Sequence, residues 1–530
     1  MRKINLVSYL LFVFLIWACS SSQPPAKKLD FLKNSKLSMQ QKFRTLLQNG
    51  HPDLALSNLE LQQLKAYYEA RSFQRIHTSD SGFSEIGLKW KKTLERQECF
   101  GLTEQRQLPS NNKNLLIQEL ILTYNLGTAV RDLDSGFINF ENEKLKPKKW
   151  QAFPETWATS QQNTDSLLLL RGPLDTNYRF FAQHLYHFRD TAHLDSISYV
   201  LCTEKKDKQL AWLQLKKALL GMGSITPSTD SLGVRGALKS FQSKQGLNPD
   251  GRIGEATVLA FAESSQTRFD RAIIALDRLR QAKVRPKKFI AINIPSFSLI
   301  FVADDTLRSR HNIIVGKMDH PTPTLESRVY RIVSLPFWKV PSSIAKKEIL
   351  PALKRNRSYL SKEHMRIYKA NKVEVNPSAV NWKKVKDNTF PYQIIQDPGP
   401  WNSLGLIKFE FANNFSVYVH DTPSRSLFKQ TFRSFSHGCM RCEAPIELGK
   451  QILSFDQKSK RPEQNNLVTP DSLQTLIDQS IHQEIKLHQG IPIFIAYSSV
   501  TADRDGLYFY LDLYQKEQKL LRLLRTENNG

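Results

Sequence analysis

The feature that most constrains this chain is a change of hydrophobic period near residue 287. Upstream, LALSNLELQQLKAYYEARSF and NLLIQELILTYNLGTAVRDL place apolar residues three and four apart, the spacing of amphipathic helices, and the pattern runs without repeats from about Lys42 to Thr203. Downstream, FIAINIPSFSLIFVADD alternates as a hairpin around Pro295-Ser296, and RSRHNIIVGK and YRIVSLPFWKVP continue in β-branched segments of period two. One chain must therefore hold a helical part and a mainly-β part, a multidomain α+β architecture. At 530 residues it has room for about three domains of ordinary size. Its five cysteines, Cys19, Cys99, Cys202, Cys439 and Cys442, are too sparse for a disulfide scaffold, so each part must rest on an apolar core. Cys99 and Cys202 are left open as a pair.

The N-terminus sets the compartment. MRKINLVSYLLFVFLIWACSSSQ has two basic residues and then an apolar run from Leu6 to Trp17, too short for a spanning helix and laid out as an export signal. Ile16-Trp17-Ala18-Cys19 resembles a bacterial lipobox, although Trp17 departs from the small residue usual there. The expectation is a lipoprotein-type signal over 1–19, lipidation of Cys19, a tether over 20–40, and a periplasmic, membrane-anchored lipoprotein of a Gram-negative bacterium. No other segment is apolar enough to span a membrane. The net charge of +25 is scattered rather than gathered into an arm, and it suits anionic headgroups or a carboxylate-bearing wall polymer better than nucleic acid.

A helical scaffold is expected over 41–205. Residues 206–264 differ: KQLAWLQLKKALLGMG and GVRGALKSFQSKQGL are followed by NPDGRIGEATVLAFAE, with a turn at Asn248-Pro249-Asp250-Gly251 and a helix restart after Gly254. This stretch resembles the small three-helix peptidoglycan-binding domain through Phe241, Gln242, Gly246, Leu247, Asp250, Gly251, Gly254 and Thr257; the alternative is a helical spacer that keeps the fold without the binding. A linking helix over 265–286 leads to strands over 287–500, interrupted by helix and loop at about 344–395. A C-terminal strand and helix close the chain over 501–530.

The chemistry concentrates in two segments. In NFSVYVHDTP, period two puts Tyr418 and His420 on one face and Val417 and Val419 on the core face. After fifteen intervening residues the chain returns with SHGCMRC, residues 436–442. EAPIELGKQILSF then reads as a helix start with Glu443 in its first turn, whose dipole, together with an imidazolium, would favour a thiolate. Gly438 would let backbone N–H groups turn toward an oxyanion. These residues fit a cysteine nucleophile with its base; a Cys2His2 zinc set fits the spacing poorly, and a thioredoxin-like CxxC lacks a preceding βαβ pattern.

A histidine, some fifteen residues, then SHGC, an apolar residue and Arg resembles the signature of the L,D-transpeptidase catalytic domain, the YkuD-like fold. PFWKVPSSIAKKEILP, QDPGPWNSLGLIKFEF and YVHDTPSRSLF look like its large periplasmic subtype, with a helical scaffold, an inserted peptidoglycan-binding domain and a helical capping insertion. The resemblance implies Cys439 as nucleophile and His420 as general base and acid, oriented by a backbone carbonyl. It implies Ser436, His437 and Gly438 as parts of the motif, and Tyr418 and Arg441 as supports for the oxyanion and the substrate's carboxylates. It implies a thioester on a donor tetrapeptide, D-Ala release and 3-3 cross-linking to an acceptor stem without metal or other cofactor, and acylation by carbapenems. Carboxypeptidase activity, protein-to-peptidoglycan ligation, or idle wall binding through Phe241, Gln242, Asp250 and Gly251 are the alternatives. Asp421 tempts as a third triad member but should face away from His420. Cys442, where the family carries an apolar residue, is either packing or a redox brake on Cys439.

Overall fold

The computed structural model describes residues 32–103, 114–191, 197–457 and 468–527, apart from the single positions 35, 148, 159, 161 and 283. The export signal, Cys19 and part of the tether lie outside the described residues. Among the described residues no helix is long and apolar enough to cross a membrane. The chain is helical in its N-terminal region and β-rich in its C-terminal part, and it divides into two compact units.

The first unit comprises residues up to 137 together with 146–172. It is built on α1 (Met39–Asn49), α2 (Asn58–Glu69), α3 (Glu85–Glu95), α4 (Leu115–Ser135) and α5 (Thr164–Leu169). Ser38 and Ser57 start α1 and α2 as reciprocal capping boxes with Gln41 and Glu60, which satisfy N–H groups the helix cannot. α4 is buried on most of its surface. The Glu119 carboxylate inside it is solvated by protein, accepting from the N–H groups of Ile76, His77 and Thr78 at 2.7–2.8 Å and from the Tyr68 hydroxyl at 2.6 Å.

The second unit holds residues 138–145 and 173–530. It opens with the hairpin β1 (Ile138–Asn139) and β2 (Lys144–Leu145) and with α6 (Thr176–Thr191). Next come α7 (Lys208–Gly221), α8 (Ser231–Lys244) and α9 (Glu255–Phe261), around a core that includes Leu215, Leu238 and Phe261. α10 (Ser265–Arg280) follows. Helical periodicity placed α6 in the scaffold of 41–205, but Phe188 of α6 stacks on Phe269 of α10 at 6.4 Å, within the second unit. Periodicity names a helix's apolar face but not the core which that face joins.

The signature residues of 206–264 serve the fold. Gln242, fully enclosed, donates to Asp250 Oδ1 at 3.1 Å, to the Arg252 carbonyl at 2.9 Å and to Thr257 Oγ1 at 3.1 Å, and it accepts from the Gly251 N–H at 2.9 Å. Phe241 stacks on Phe261 at 3.9 Å. Gly251 has a φ of 70°, the left-handed turn conformation that glycine adopts without strain.

The remaining strands are β3 (Lys288–Asn293), β4 (Ser298–Ala303), β5 (Thr306–Gly316), β6 (Leu325–Ser334), β7 (Trp338–Lys339), β8 (Met365–Tyr368), β9 (Glu374–Val375), β10 (Gln393–Gln396), β11 (Ile407–Phe411), β12 (Val419–His420), β13 (Ser434–Ser436), β14 (Met440–Cys442), β15 (Gln483–Ala496), β16 (Val500–Asp503) and β17 (Gly506–Phe509). Nine pair in the order β13-β5-β14-β12-β11-β6-β15-β3-β4, and β4 also pairs with β5, so the ladder runs round to closure with β13 added at the rim. Closure removes the exposed edges that an open sheet presents. The interior is filled by residues such as Phe301, Ile332, Phe409, Val419 and Met440, and by Leu448 and Ile452 of the helix Pro445–Gln457.

The interruption at 344–395 is more than helix and loop. β7, β10, β8 and β9 form a second, antiparallel sheet, which with the helix Leu350–Arg355 encloses Leu353, Ile367, Trp382 and Ile394. Its strands are two to four residues long, too short to carry a readable period. The C-terminus likewise carries a hairpin, β16–β17, before the helix Gln518–Glu527, where a single strand was expected.

Candidate active site

Register assembles the site. β11 runs antiparallel to β12 with Lys408 opposite His420, and β12 runs parallel to β14 with His420 opposite Arg441. Residues directly opposite share a face, so Lys408, His420 and Arg441 stand in a row while Phe409, Val419 and Met440 point into the core. Two positions before His420 and Arg441 lie Tyr418 and Cys439, which alternation brings to the same face. Tyr418, His420, Cys439 and Arg441 are thus assembled by two neighbouring strands, as the alternation in NFSVYVHDTP predicted.

The turn that presents Cys439 is braced from below. Ser436 Oγ donates to the Cys439 carbonyl at 2.5 Å and accepts the Gly438 N–H at 3.2 Å. Thr322 Oγ1 donates to the Gly438 carbonyl and accepts from the Gly316 N–H, both at 2.9 Å. Gly438 sits at a φ of 108°, and nothing lies within 3.6 Å of where a Cβ would be, so glycine is required there by conformation rather than by space. The Gly438 N–H is spent on Ser436 rather than turned toward an oxyanion. The phenol of Tyr418 lies beside the Cys439 sulfur and the Trp338 side chain, and burial first, then Cys439, raises its pKa.

The electrostatics favour a neutral resting pair. Burial, then the positive charges of Arg441 and Lys408, push the His420 imidazole down to about 3, opposed by the carbonyls of Asp421 and Leu404. Those carbonyls face the ring, although none is aligned closely enough to hydrogen-bond Nδ1. Burial raises the Cys439 thiol, offset in part by the Tyr418 N–H and hydroxyl. A standing thiolate–imidazolium pair is therefore disfavoured, and so is the helix-dipole argument for one. β14 lies between Cys439 and the helix that starts at Pro445, and Glu443 precedes that helix rather than occupying its first turn.

Arg441 is held in the site with its Nε unpaired, and burial disfavours its charge. Lys408 lies 4.2 Å over the Tyr418 ring and 2.7 Å from Glu410. His437 faces the insertion, bonding Glu348 at 2.6 Å. Asp421 turns away from His420, accepting the Leu406 N–H at 2.8 Å and pairing with Arg425 at 2.6 Å. Cys442 is enclosed in the core on the face opposite Cys439, and burial pushes its thiol up to about 12. CMRC spans a strand, so its two cysteine Cα atoms stand about 10 Å apart, beyond disulfide reach. The redox brake, the CxxC couple and a metal site using both sulfurs are thereby excluded. No disulfide joins Cys99 to Cys202.

Lys408, Trp338, Thr322 and Glu348 were not singled out from the sequence. Alternation in IKFEF was the one available signal, since it puts Lys408 and Glu410 together on the outer face.

One face of the barrel thus gathers the thiol of Cys439, the imidazole of His420, the phenol of Tyr418 and the guanidinium of Arg441. Residues 287–459 match the family model of the L,D-transpeptidase catalytic domain. A Haemophilus influenzae protein described as "Putative L,D-transpeptidase" is 32% identical over 164 residues, 31% of this chain and 33% of that protein. The match thus spans about a third of that relative's length. Among solved structures, an L,D-transpeptidase from Stackebrandtia nassauensis is 13% identical, with 58% of this chain and 97% of that chain covered and a TM-score of 0.19. One from Mycobacterium smegmatis is also 13% identical, covering 40% and 58%, with a TM-score of 0.17.

Proposed function

We propose that this protein is a peptidoglycan L,D-transpeptidase that joins the third residues of two stem peptides through a thioester on Cys439. The observation that carries the reading is the common face of His420 and Arg441, on β12 and β14, with Tyr418 and Cys439 in the residues just before those strands. In this scheme a carboxylate of the donor tetrapeptide pairs with Arg441, which removes the leading charge that keeps His420 unprotonated. His420 then takes the thiol proton as sulfur attacks the carbonyl of the third residue, while Tyr418 donates to the forming oxyanion. The bond to D-Ala breaks, its nitrogen leaves with the proton from His420, and a thioester remains. A side-chain amine of a second stem attacks the thioester and regenerates the thiol. No cofactor enters this scheme.

The remaining parts follow the same reading. The chain is a periplasmic lipoprotein of the large subtype, anchored through Cys19, with residues 206–264 as its peptidoglycan-binding domain and with carbapenems as acylating inhibitors. Incubating the full chain with a purified tetrapeptide tests the reaction: wild type should release D-Ala and gain the mass of the acyl group, and Cys439→Ala should do neither. Cross-linking by Cys439→Ala would overturn the assignment.

A further inference from the structure

We propose that Glu348 of the insertion, held by His437, receives the acceptor's ammonium group and takes its proton; this rests on the acyl-transfer reading above. The two side chains bond at 2.6 Å beside the SHGC turn, with His437 two residues from the nucleophile, and both stay partly open, at 53% and 29% exposure. Glu348 sits in a π-helical turn, Ala345–Ile349, between the short helices Ser342–Ile344 and Leu350–Arg355. Single π turns of this kind occur often at functional sites. The insertion reaches the site through Glu348 on His437.

Charge is sorted around the sulfur. The strand face offers the cations Lys408 and Arg441, which suit a donor's carboxylates, whereas the insertion side offers a carboxylate. An alkylamine reaches the site protonated, since its ordinary pKa is about 10, and an ammonium has no lone pair with which to attack. It needs a group that attracts the cation and then accepts a proton. Other groups face this pair: the His320 ring lies 5.0 Å from that of His437 and is itself paired with Asp319 at 3.2 Å. Tyr359 lies near Glu348, and Lys346 and Lys347 share its turn.

The step balances. The acceptor ammonium gives one proton to the Glu348–His437 pair, and the freed lone pair attacks the thioester carbonyl. The C–N bond forms, the C–S bond breaks, and the second N–H proton passes through His420 to Sγ. The products are an amide, the Cys439 thiol and one proton, which the pair returns to solvent.

The test presents preformed acyl-enzyme of the full chain with two nucleophiles: a stem peptide bearing a side-chain ammonium, and hydroxylamine, which is neutral near pH 7 and needs no deprotonation. Glu348→Gln is expected to lower transfer to the stem peptide about tenfold or more relative to hydroxylamine capture and to first-turnover D-Ala release. An unchanged ratio overturns the proposal, whether because nothing falls or because all three rates fall together, as they would if the pair only latched the insertion. A wild-type protein that releases no D-Ala would instead overturn the acyl-transfer reading.

Discussion

Cys439 should be a thiol, not a thiolate, in the unliganded protein throughout the neutral range. An imidazole moved from 6.5 to about 3 resists charging by roughly 5 kcal/mol, and the sulfur that would supply the proton is itself raised by burial. Thiolate absorbance in the ultraviolet, followed against pH in wild type and in Cys439→Ser, should show no difference between the two proteins below the ordinary thiol range. A difference with a midpoint below about pH 8 would refute the reasoning, because it would require a stable imidazolium beside the sulfur. The same shift carries a stability signature. The unfolded chain binds a proton at His420 below about 6.5 and the folded chain does not until about 3, so the stability is complete above 6.5 and is lost on acidification. Between pH 7 and pH 5 this amounts to roughly 2 kcal/mol for one group. His77 and His311 are also lowered by burial and add in the same direction, so the readout is the part of the acid sensitivity that disappears in His420→Gln.

Cys442→Val should keep full activity and cost less than about 1.5 kcal/mol, since a small apolar side chain replaces a core thiol of similar volume; activity that dithiothreitol restores to oxidised wild type alone would contradict the opposed faces of the strand. Gln242→Leu should destabilise the three-helix part of the second unit by about 2 kcal/mol or more, because Gly251, Arg252 and Thr257 lose a buried partner. Limited proteolysis should then cut first within residues 206–264, and unchanged protection would count against the structural role of this glutamine.

The candidate face was readable in the sequence because a strand's period is two whatever its partners are. Val417 and Val419 had only one interior to enter, and their burial forced Tyr418 and His420 outward together. Asp421, one residue further along, was excluded from their face by the same rule. The period failed one segment later. EAPIELGKQILSF was expected to start a helix with Glu443 in its first turn, which set CMRC beside a helix start with its two sulfurs three positions apart. β14 occupies those three residues because β5 and β12 pair with it on either side, a tertiary choice that local propensity does not encode. The signature of residues 206–264 was found, but spacing did not reveal that its members serve the fold; that followed only from the partners of Gln242.

Lys408, Trp338 and Glu348 escaped notice for a shared physical reason. Each acts through a contact made across the fold: Lys408 over Tyr418, Trp338 on the same phenol and Glu348 on His437. None stands beside the motif in the chain, and as residue types each is unremarkable where it occurs. What joins them is that they act on groups the motif supplies. Lys408 adds to the positive charge that lowers His420, Trp338 lies beside the phenol of Tyr418, and Glu348 bonds His437. In the proposed scheme the motif supplies the reacting atoms, while a strand neighbour and a separately packed insertion surround them, so substitutions in the insertion should alter the division between acylation and transfer before they alter the fold.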